Sequence, residues 1–358
     1  MTCNEIRLHI LNCIHSKKIG IGGRLPTFRA MADECKTSIP TVQRAVAMLV
    51  SEGILSSKVG SGTYVCGTEA YSQKQLIGVL LPYSHGVAPD FISNVLDGLS
   101  TYLIKKDFIP VVVSPPPGTR GNCRVAVELS LVEHLVAQGI AGLIIASAVA
   151  ADDPFWNKLN KLKIPVVYLN NKGNCTSECD YVASDNYQGG KLAARRLIET
   201  GKTPCAFVSN MDKSKVEAER LRGFTDVLVA AGLPPPVLID SEKRQKSKSL
   251  SMKKILGECK GIFGINDSTA IGILTELRKE QIAVPKECGV IGFDDSELCE
   301  HVVPRLDSIR QQSRLMGERA AELIIRRLEQ PEALDAVTIT LRVELVCRDS
   351  VSSCSTEI

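Results

Sequence analysis

The chain has 358 residues, of which 44% are hydrophobic and 23% are charged, and its net charge is +3. This length allows more than one domain, and the composition is that of a soluble globular protein without membrane contact. No apolar run approaches the ~20 residues that span a bilayer, and the N-terminus lacks a secretory pattern. The thirteen cysteines are scattered and odd in number, which favours reduced thiols and a cytoplasmic location.

Residues 1–65 predict three helices followed by a hairpin. The expected elements are, in order, Cys3–Ser16, Phe28–Glu34, Ile39–Ser51 and an extended pair around Lys58–Ser61. Thr27 and Ser38 are placed to cap the second and third helices. Up to residue 68 the chain has eight basic and four acidic residues, so this part carries all of the net positive charge.

The third predicted helix has two distinct faces. Val42 and Val46 lie on an inner stripe, which leaves the opposite face free to approach a DNA major groove. The glycines on either side of Ser61 remove side-chain bulk from the hairpin, so that backbone N–H groups can reach phosphates. Such a glycine pair also occurs in ordinary turns, so it is weak evidence alone.

Four motifs at set spacings together resemble the GntR family. They are Gly20-x-x-x-Arg24-Leu25-Pro26-Thr27-x-Arg29, Thr41-Val42, Glu52-Gly53-Ile54-Leu55 and Gly60-Ser61-Gly62-Thr63-Tyr64-Val65. The resemblance implies a winged helix-turn-helix that binds double-stranded operator DNA as a homodimer. The candidate DNA-binding residues are Arg29, Ser38, Thr41, Gln43, Arg44 and Gly62. The alternative for Arg44 is a solvated surface charge.

Two positions depart from the family's usual pattern. The family commonly has arginine where this chain has Ile39 and Gln43. Arginine favours guanine, whereas glutamine can pair with adenine. We therefore expect an operator that differs from the family's usual half-site.

From Leu76 onward, short runs rich in valine and isoleucine alternate with amphipathic stretches, as in repeated β-α units. The predicted strands are Ile77–Leu81, Ile109–Ser114, Gly142–Ala146, Val166–Asn170, Tyr181–Ser184, Ala206–Ser209, Val237–Ile239, Gly261–Ile265 and Val290–Phe293. The predicted helices include Phe91–Lys105, Asn186–Thr200, Val216–Ala231 and Ser268–Glu280. This predicts two doubly wound α/β lobes with a ligand cleft at the strand C-termini.

Motifs in this second part resemble the effector domain of the LacI family, which is similar to periplasmic sugar-binding proteins. They include Ser184-Asp185-Asn186-Tyr187-Gln188-Gly189-Gly190, Arg220-x-x-Gly223-Phe224, Asn266-Asp267-x-x-Ala270 and Gly289-Val290-Ile291-Gly292-Phe293-Asp294-Asp295. The pairing of the two parts resembles the arabinose-repressor type of bacterial regulator. It predicts a winged helix-turn-helix at 1–68, a linker at 69–75 and an effector-binding and dimerisation domain at 76–358.

The candidate ligand-binding residues combine amides, a carboxylate, a guanidinium and an aromatic ring, a set that suits the hydroxyls of a sugar. They are His85, Phe91, Asn170, Arg220, Asn266 and Asp294. The loop that carries His85 departs from the family's common Asn-Pro-Phe-Phe pattern. Asp185 and Asp267 are better explained as helix caps, and the alternative for Arg220 is a salt bridge to Glu217.

These features together predict a transcription regulator, namely a repressor of carbohydrate-use genes that a sugar controls. A periplasmic sugar-binding protein and a sugar-processing enzyme are the alternatives. Gly201-Lys202-Thr203 lacks the first glycine of a phosphate-binding loop. Cys175 and Cys179 lack a partner pair for a metal, and the lysines between Lys243 and Lys254 suit a solvated helix face. We expect no catalysis, cofactor or metal.

Overall fold

A computed structural model describes residues 1–15, 18–20, 22–51, 54–58, 62–66, 75–82, 89–116, 119, 121–147, 149–174, 179–209, 214–241, 257–330 and 335–352. The chain divides into two compact units, Met1–Lys74 and Gln75–Ile358. Gln75 already belongs to a strand, and the rest of the predicted linker lies outside the described residues. The lysine-rich stretch that starts at Lys243 also lies outside them.

The smaller unit has the predicted order of helices and hairpin. Its elements are α1 Cys3–His15, α2 Phe28–Glu34, α3 Ile39–Ser51, β1 Leu55–Lys58 and β2 Gly62–Val65. The two strands pair antiparallel, with Leu55 opposite Val65. The Thr27 hydroxyl accepts the Ala30 N–H at 3.2 Å, which confirms the predicted cap of α2. The buried stripe of α3, which includes Val42, completes the core of the unit.

The larger unit alternates helices and strands. Its helices are α4 Pro89–Lys105, α5 Gly121–Ala137, α6 Phe155–Leu159, α7 Asn186–Glu199, α8 Lys215–Ala230, α9 Asp267–Lys279, α10 Leu298–His301 and α11 Ser313–Glu329. Its strands are β3 Gln75–Leu80, β4 Phe108–Val113, β5 Gly142–Ala146, β6 Val166–Leu169, β7 Asp180–Ser184, β8 Cys205–Ser209, β9 Val237–Asp240, β10 Gly261–Gly264, β11 Gly289–Asp294, β12 Asp307–Gln311, β13 Thr338–Leu341 and β14 Val343–Val346. Every strand and helix predicted in this unit is present, with ends shifted by at most two residues.

The strands form two six-stranded sheets, one in each lobe. The first lobe has the order β13-β7-β6-β5-β3-β4, and the second has the order β14-β12-β11-β10-β8-β9. All neighbours pair in parallel except β12 and β14. The C-terminal ends of parallel strands meet at one edge of each sheet, which is where doubly wound folds place their ligands. Within the described ranges, no helix is long and apolar enough to cross a membrane.

The chain passes from one lobe to the other after β7, after β12 and after β13. These crossings are hydrogen-bonded to one another. The Ser184 hydroxyl donates to Gln311 Oε1 at 2.7 Å, and the Asp185 N–H donates to the Leu341 carbonyl at 2.9 Å. The Gln312 side-chain amide donates to the Arg342 carbonyl at 3.1 Å. The three crossings therefore form one connected hinge.

Each lobe packs one pair of helices through glycines. A Cβ on Gly190 of α7 would lie 2.1 Å from the Arg220 carbonyl oxygen of α8, and Gly223 of α8 meets α7 in the same way. In the first lobe α4 and α11 meet through Gly98 and Gly317. Because these backbones touch, no side chain fits between them. The contact at Gly190 fixes the position of Arg220.

We expect Gly190→Ala to destabilise the protein by about 1–3 kcal/mol, because the added methyl group overlaps the backbone of α8. Gly272→Ala is the matched control, since Gly272 is an exposed helical glycine of α9 with nothing within 4 Å of the new Cβ. It should stabilise the helix by roughly 0.5–1 kcal/mol. Chemical denaturation of both variants measures the difference, and equal effects would contradict the packing argument.

Candidate functional sites

Five of the six predicted DNA-binding residues lie on α2, on α3 or in the turn between them. Gln43 and Arg44 are exposed, on the side opposite the buried stripe. Ser38 precedes the helix, and its hydroxyl lies 2.7 Å from the Thr41 hydroxyl. Arg29 is exposed on α2. The helix-turn-helix thus offers amide, hydroxyl and guanidinium groups on its surface.

In the wing, which is the hairpin of β1 and β2, the backbone conformation at Gly62 favours glycine. Gly62 begins β2 with a φ of +124°, and a Cβ there would lie 2.7 Å from Nε of Arg24. Arg24 also pairs with Tyr64 through an isolated antiparallel bridge. The Arg24 guanidinium therefore lies against the wing strand, where sequence reasoning had assigned it no contact. The predicted tip, Gly60-Ser61, lies outside the described residues.

In the larger unit, Arg220 of α8 is buried beneath the cleft, with 4% of its surface exposed. Its Nε donates to Asn186 Oδ1 at 2.9 Å, and its Nη1 donates to the Ile265 carbonyl. The guanidinium carbon stacks 3.4 Å from the centre of the Phe293 ring. This stacking and the two hydrogen bonds hold the guanidinium rigidly in one plane.

Asp294 is the last residue of β11 and adopts a φ of +120°. Its Oδ1 accepts a hydrogen bond from Nε2 of Gln311 at 2.6 Å. The other end of the same amide, Oε1, accepts the Ser184 hydroxyl of the hinge. One glutamine side chain therefore connects the cleft carboxyl to two of the three crossings.

Asn170 and Asn266 follow strands, as predicted, but part of each side chain has a structural role. Asn170 Oδ1 accepts the Ser184 N–H at 3.0 Å, and its Nδ2 forms no hydrogen bond within the part of the chain that the structure describes. Asn266 is the N-cap of α9, and its Oδ1 accepts the Thr269 N–H at 2.9 Å. Only part of either amide can therefore serve a ligand.

Of the two aspartates predicted as helix caps, one caps its helix and the other does not. Asp185 caps α7 by accepting the Gln188 N–H at 2.9 Å, which confirms that prediction. The prediction for Asp267 is wrong, because α9 begins one residue earlier and Asn266 takes the cap. Asp267 is fully buried and instead accepts the Ser296 N–H at 2.7 Å and the Ser308 hydroxyl at 2.6 Å.

In the first lobe, the start of α4 carries the predicted ligand-binding residue Phe91. Phe91 is half-buried against the core of that lobe. Its neighbour Asp90 accepts the Glu297 N–H of the second lobe at 2.9 Å, so this carboxylate links the two lobes. His85 lies outside the described residues. Sequence reasoning missed Asp90, which no motif marks, and also Asn186, Phe293 and Gln311.

Comparison with known proteins gives a match for each unit. Residues 2–65 match the model of the bacterial regulatory proteins of the gntR family, and residues 194–351 match a periplasmic binding protein-like domain. The HTH-type transcriptional regulator CelR of Thermobifida fusca is 30% identical over 74% of this chain and 76% of its own length. The chain therefore belongs to the same family of bacterial transcription regulators as CelR.

Two further relatives are also transcription regulators. The arabinose metabolism transcriptional repressor of Geobacillus stearothermophilus is 27% identical over 97% of this chain and 96% of its own length. A LacI family transcriptional regulator from Enterococcus faecalis, solved with bound ribose, is 27% identical with a TM-score of 0.63, over 78% of this chain and all of that one. These findings confirm the predicted winged helix-turn-helix, the two-lobed α/β fold and a regulator rather than an enzyme.

Burial sets the protonation of the regulator's cleft acid. Desolvation raises the pKa of Asp294 to about 8, although the nearby Arg220 guanidinium opposes that shift. The negative charges of Asp267 and Asp90 act in the same direction as desolvation. Burial also raises the pKa of Asp267. Near neutral pH, Asp294 of the free protein therefore holds its proton and can donate as well as accept.

We expect Asp294→Asn to change how stability depends on pH. An unfolded aspartate loses its proton near pH ~4, so between about pH 4 and 8 the folded state binds more protons than the unfolded state. Asp294 therefore contributes a decrease in the wild type's free energy of unfolding as the pH rises through this window, and the asparagine variant lacks this contribution. Chemical denaturation at several pH values should show that the variant's free energy of unfolding increases relative to that of the wild type as the pH rises. A constant difference would contradict this assignment.

Proposed function

We propose that this chain is a cytoplasmic repressor of carbohydrate-use genes, in which a sugar in the interlobe cleft controls binding of the winged helix to operator DNA. The observation that carries the proposal is the connection from Asp294 through Gln311 to Ser184. This connection joins a polar group suited to ligand binding directly to the hinge between the lobes. A ligand that engages Asp294 therefore acts on the element that sets the angle of the lobes.

The chemistry of the cleft supports a polyol ligand. Sugar hydroxyls donate and accept, so their site needs both kinds of group in fixed positions. Arg220 supplies donors, the amide of Asn170 supplies another, and Asp294 supplies oxygens. Phe91 is half-buried at the start of α4 in the first lobe, and its ring is the group we propose to cover the apolar face of a sugar. The relatives named for arabinose metabolism and solved with ribose make pentoses the first candidates.

The contact between Asp90 and the Glu297 N–H supports control by cleft closure. Asp90 and Glu297 belong to different lobes, so this hydrogen bond forms only when the lobes are close together. A ligand shifts the equilibrium between open and closed lobes only by its differential affinity for the two. Whether closure releases the operator or favours it decides between induction and corepression.

Exposed apolar side chains on two edge strands support a homodimer. Strand β4 ends the first sheet and exposes Ile109 and Val112, and β9 ends the second and exposes Val237 and Leu238. Unpaired edges with apolar side chains are sites of association. In each sheet this exposed strand lies at the end opposite β13 or β14, and β13 and β14 directly follow one another in the chain. A partner that covers one side of the unit could therefore bury both edges.

We expect a pentose to raise the melting temperature of the full-length protein. Ligand at 100 times its dissociation constant stabilises the folded state by about 2.7 kcal/mol. Thermal shift assays with arabinose, ribose, xylose and cellobiose should identify the stabilising sugar. Arg220→Met should abolish the shift relative to its own ligand-free baseline. Arg278→Met is the matched control, since Arg278 is exposed on α9, and it should keep the shift. Loss in both variants, or in neither, would refute the assignment of Arg220.

The GntR resemblance implies that Arg29 contacts a phosphate or the groove, and we propose the phosphate contact. We therefore expect Arg29→Ala to weaken binding to all DNA sequences by a similar factor. The salt dependence of binding should fall by about one charge. Gel-shift titration of specific and nonspecific duplexes measures both effects. Arg278→Ala removes the same charge from the other unit and should leave binding unchanged. An Arg29→Ala variant with wild-type affinity would remove this residue from the DNA contact.

A further inference from the structure

Ile39 is an exposed isoleucine at the first position of α3. About 41% of its surface is accessible, and it neither belongs to the core of the smaller unit nor packs against it. The rest of the helix buries its apolar side chains on one stripe, including Val42 and Leu49. Burial in the unit therefore does not account for an isoleucine at this position.

Gln43 lies one turn further along the same helix. Residues four apart on a helix are neighbours on its surface, so Ile39 and Gln43 form a pair that faces outward together. Gln43 is exposed, and within the described ranges its amide forms no hydrogen bond. The pair thus combines a branched apolar group with an amide that can both donate and accept. We call these two residues the 39/43 pair.

The major groove offers a chemical match to both members of this pair. Adenine presents an acceptor and a donor, N7 and N6–H2, which one glutamine amide can engage in a bidentate manner. Thymine presents the only methyl group on a base edge, and apolar side chains contact it. Guanine, the base that arginine favours, offers two acceptors and no methyl group. Neither member of the 39/43 pair is suited to guanine.

We propose that the 39/43 pair specifies A·T base pairs in each operator half-site, with Ile39 against a thymine methyl and Gln43 on an adenine. This inference rests on the proposed DNA binding by α3. The helix rises about 6 Å between the two residues, so they reach neighbouring positions of the same half-site. Ile39 is thus a specificity-determining residue, and the half-site contains thymine where arginine would select guanine.

The first step of the test is to select binding sites from random DNA duplexes with the full-length protein. The selected half-site should contain A·T pairs next to each other. Each thymine is then replaced by deoxyuridine, which removes only the methyl group. At one position this should weaken wild-type binding roughly fourfold, the effect of losing one buried methyl group. Ile39→Ala should be insensitive to that replacement, and Ile39→Val should retain part of the sensitivity.

Two variants separate the members of the pair and control for exposure. Gln43→Ala should lose the preference for one adenine while keeping the response to deoxyuridine. Met48→Ala is the matched control, because Met48 has a similar exposure, 39%, on the same helix. It should keep both responses.

The outcomes distinguish this inference from the function on which it rests. If the wild type selects no sequence and binds no duplex, the DNA-binding function fails and the inference fails with it. If the wild type selects an operator, but every thymine tolerates deoxyuridine or Ile39→Ala responds as the wild type does, only the inference is overturned. Guanine at the selected positions would overturn it in the same way.

Discussion

The side chain of Gln311 is the link on which the larger unit's proposed control depends. Its Nε2 donates to Asp294 in the cleft, and its Oε1 accepts the hydroxyl of Ser184 at a chain crossing. A glutamine amide has one donor end and one acceptor end, so neither bond can reverse without a flip of the group. Because Gln311 is itself nearly buried, a displaced Asp294 leaves a polar amide without its partner. Movement in the cleft is therefore energetically coupled to the hinge.

The second constraint is backbone contact between helices. Gly190 lets α7 approach α8 closely, and that approach sets the height of Arg220 under the Phe293 ring. The guanidinium then has fixed partners in Asn186 and the carbonyl of Ile265. Polar groups held in this way need little reordering when a ligand arrives, which reduces the entropic cost of binding.

Strands with continuous apolar runs, such as Gly142–Ala146, could be predicted from sequence because both of their faces are buried. Strands β12, β13 and β14 escaped prediction because they carry polar side chains or lie at sheet edges, as Asp307 and Thr338 illustrate. Missing β12 also meant missing Gln311. Asn266 and Asp294 were placed correctly at strand ends, but the sequence does not show that Asn266 caps α9. Positions follow from periodicity, whereas hydrogen-bond partners depend on tertiary packing.

The raised pKa of Asp294 also limits which ligands fit the cleft. Near neutral pH the free site contains the Arg220 cation and a protonated Asp294, so it has no net negative charge from this acid. A ligand whose hydroxyls donate to Asp294 favours its ionised form and releases a proton, so its affinity rises with pH. A ligand that instead accepts a hydrogen bond from the carboxylic acid favours the protonated form, and its affinity falls with pH. The pH dependence of binding therefore reports which way the hydrogen bond to Asp294 runs, and with it how the ligand acts on Gln311.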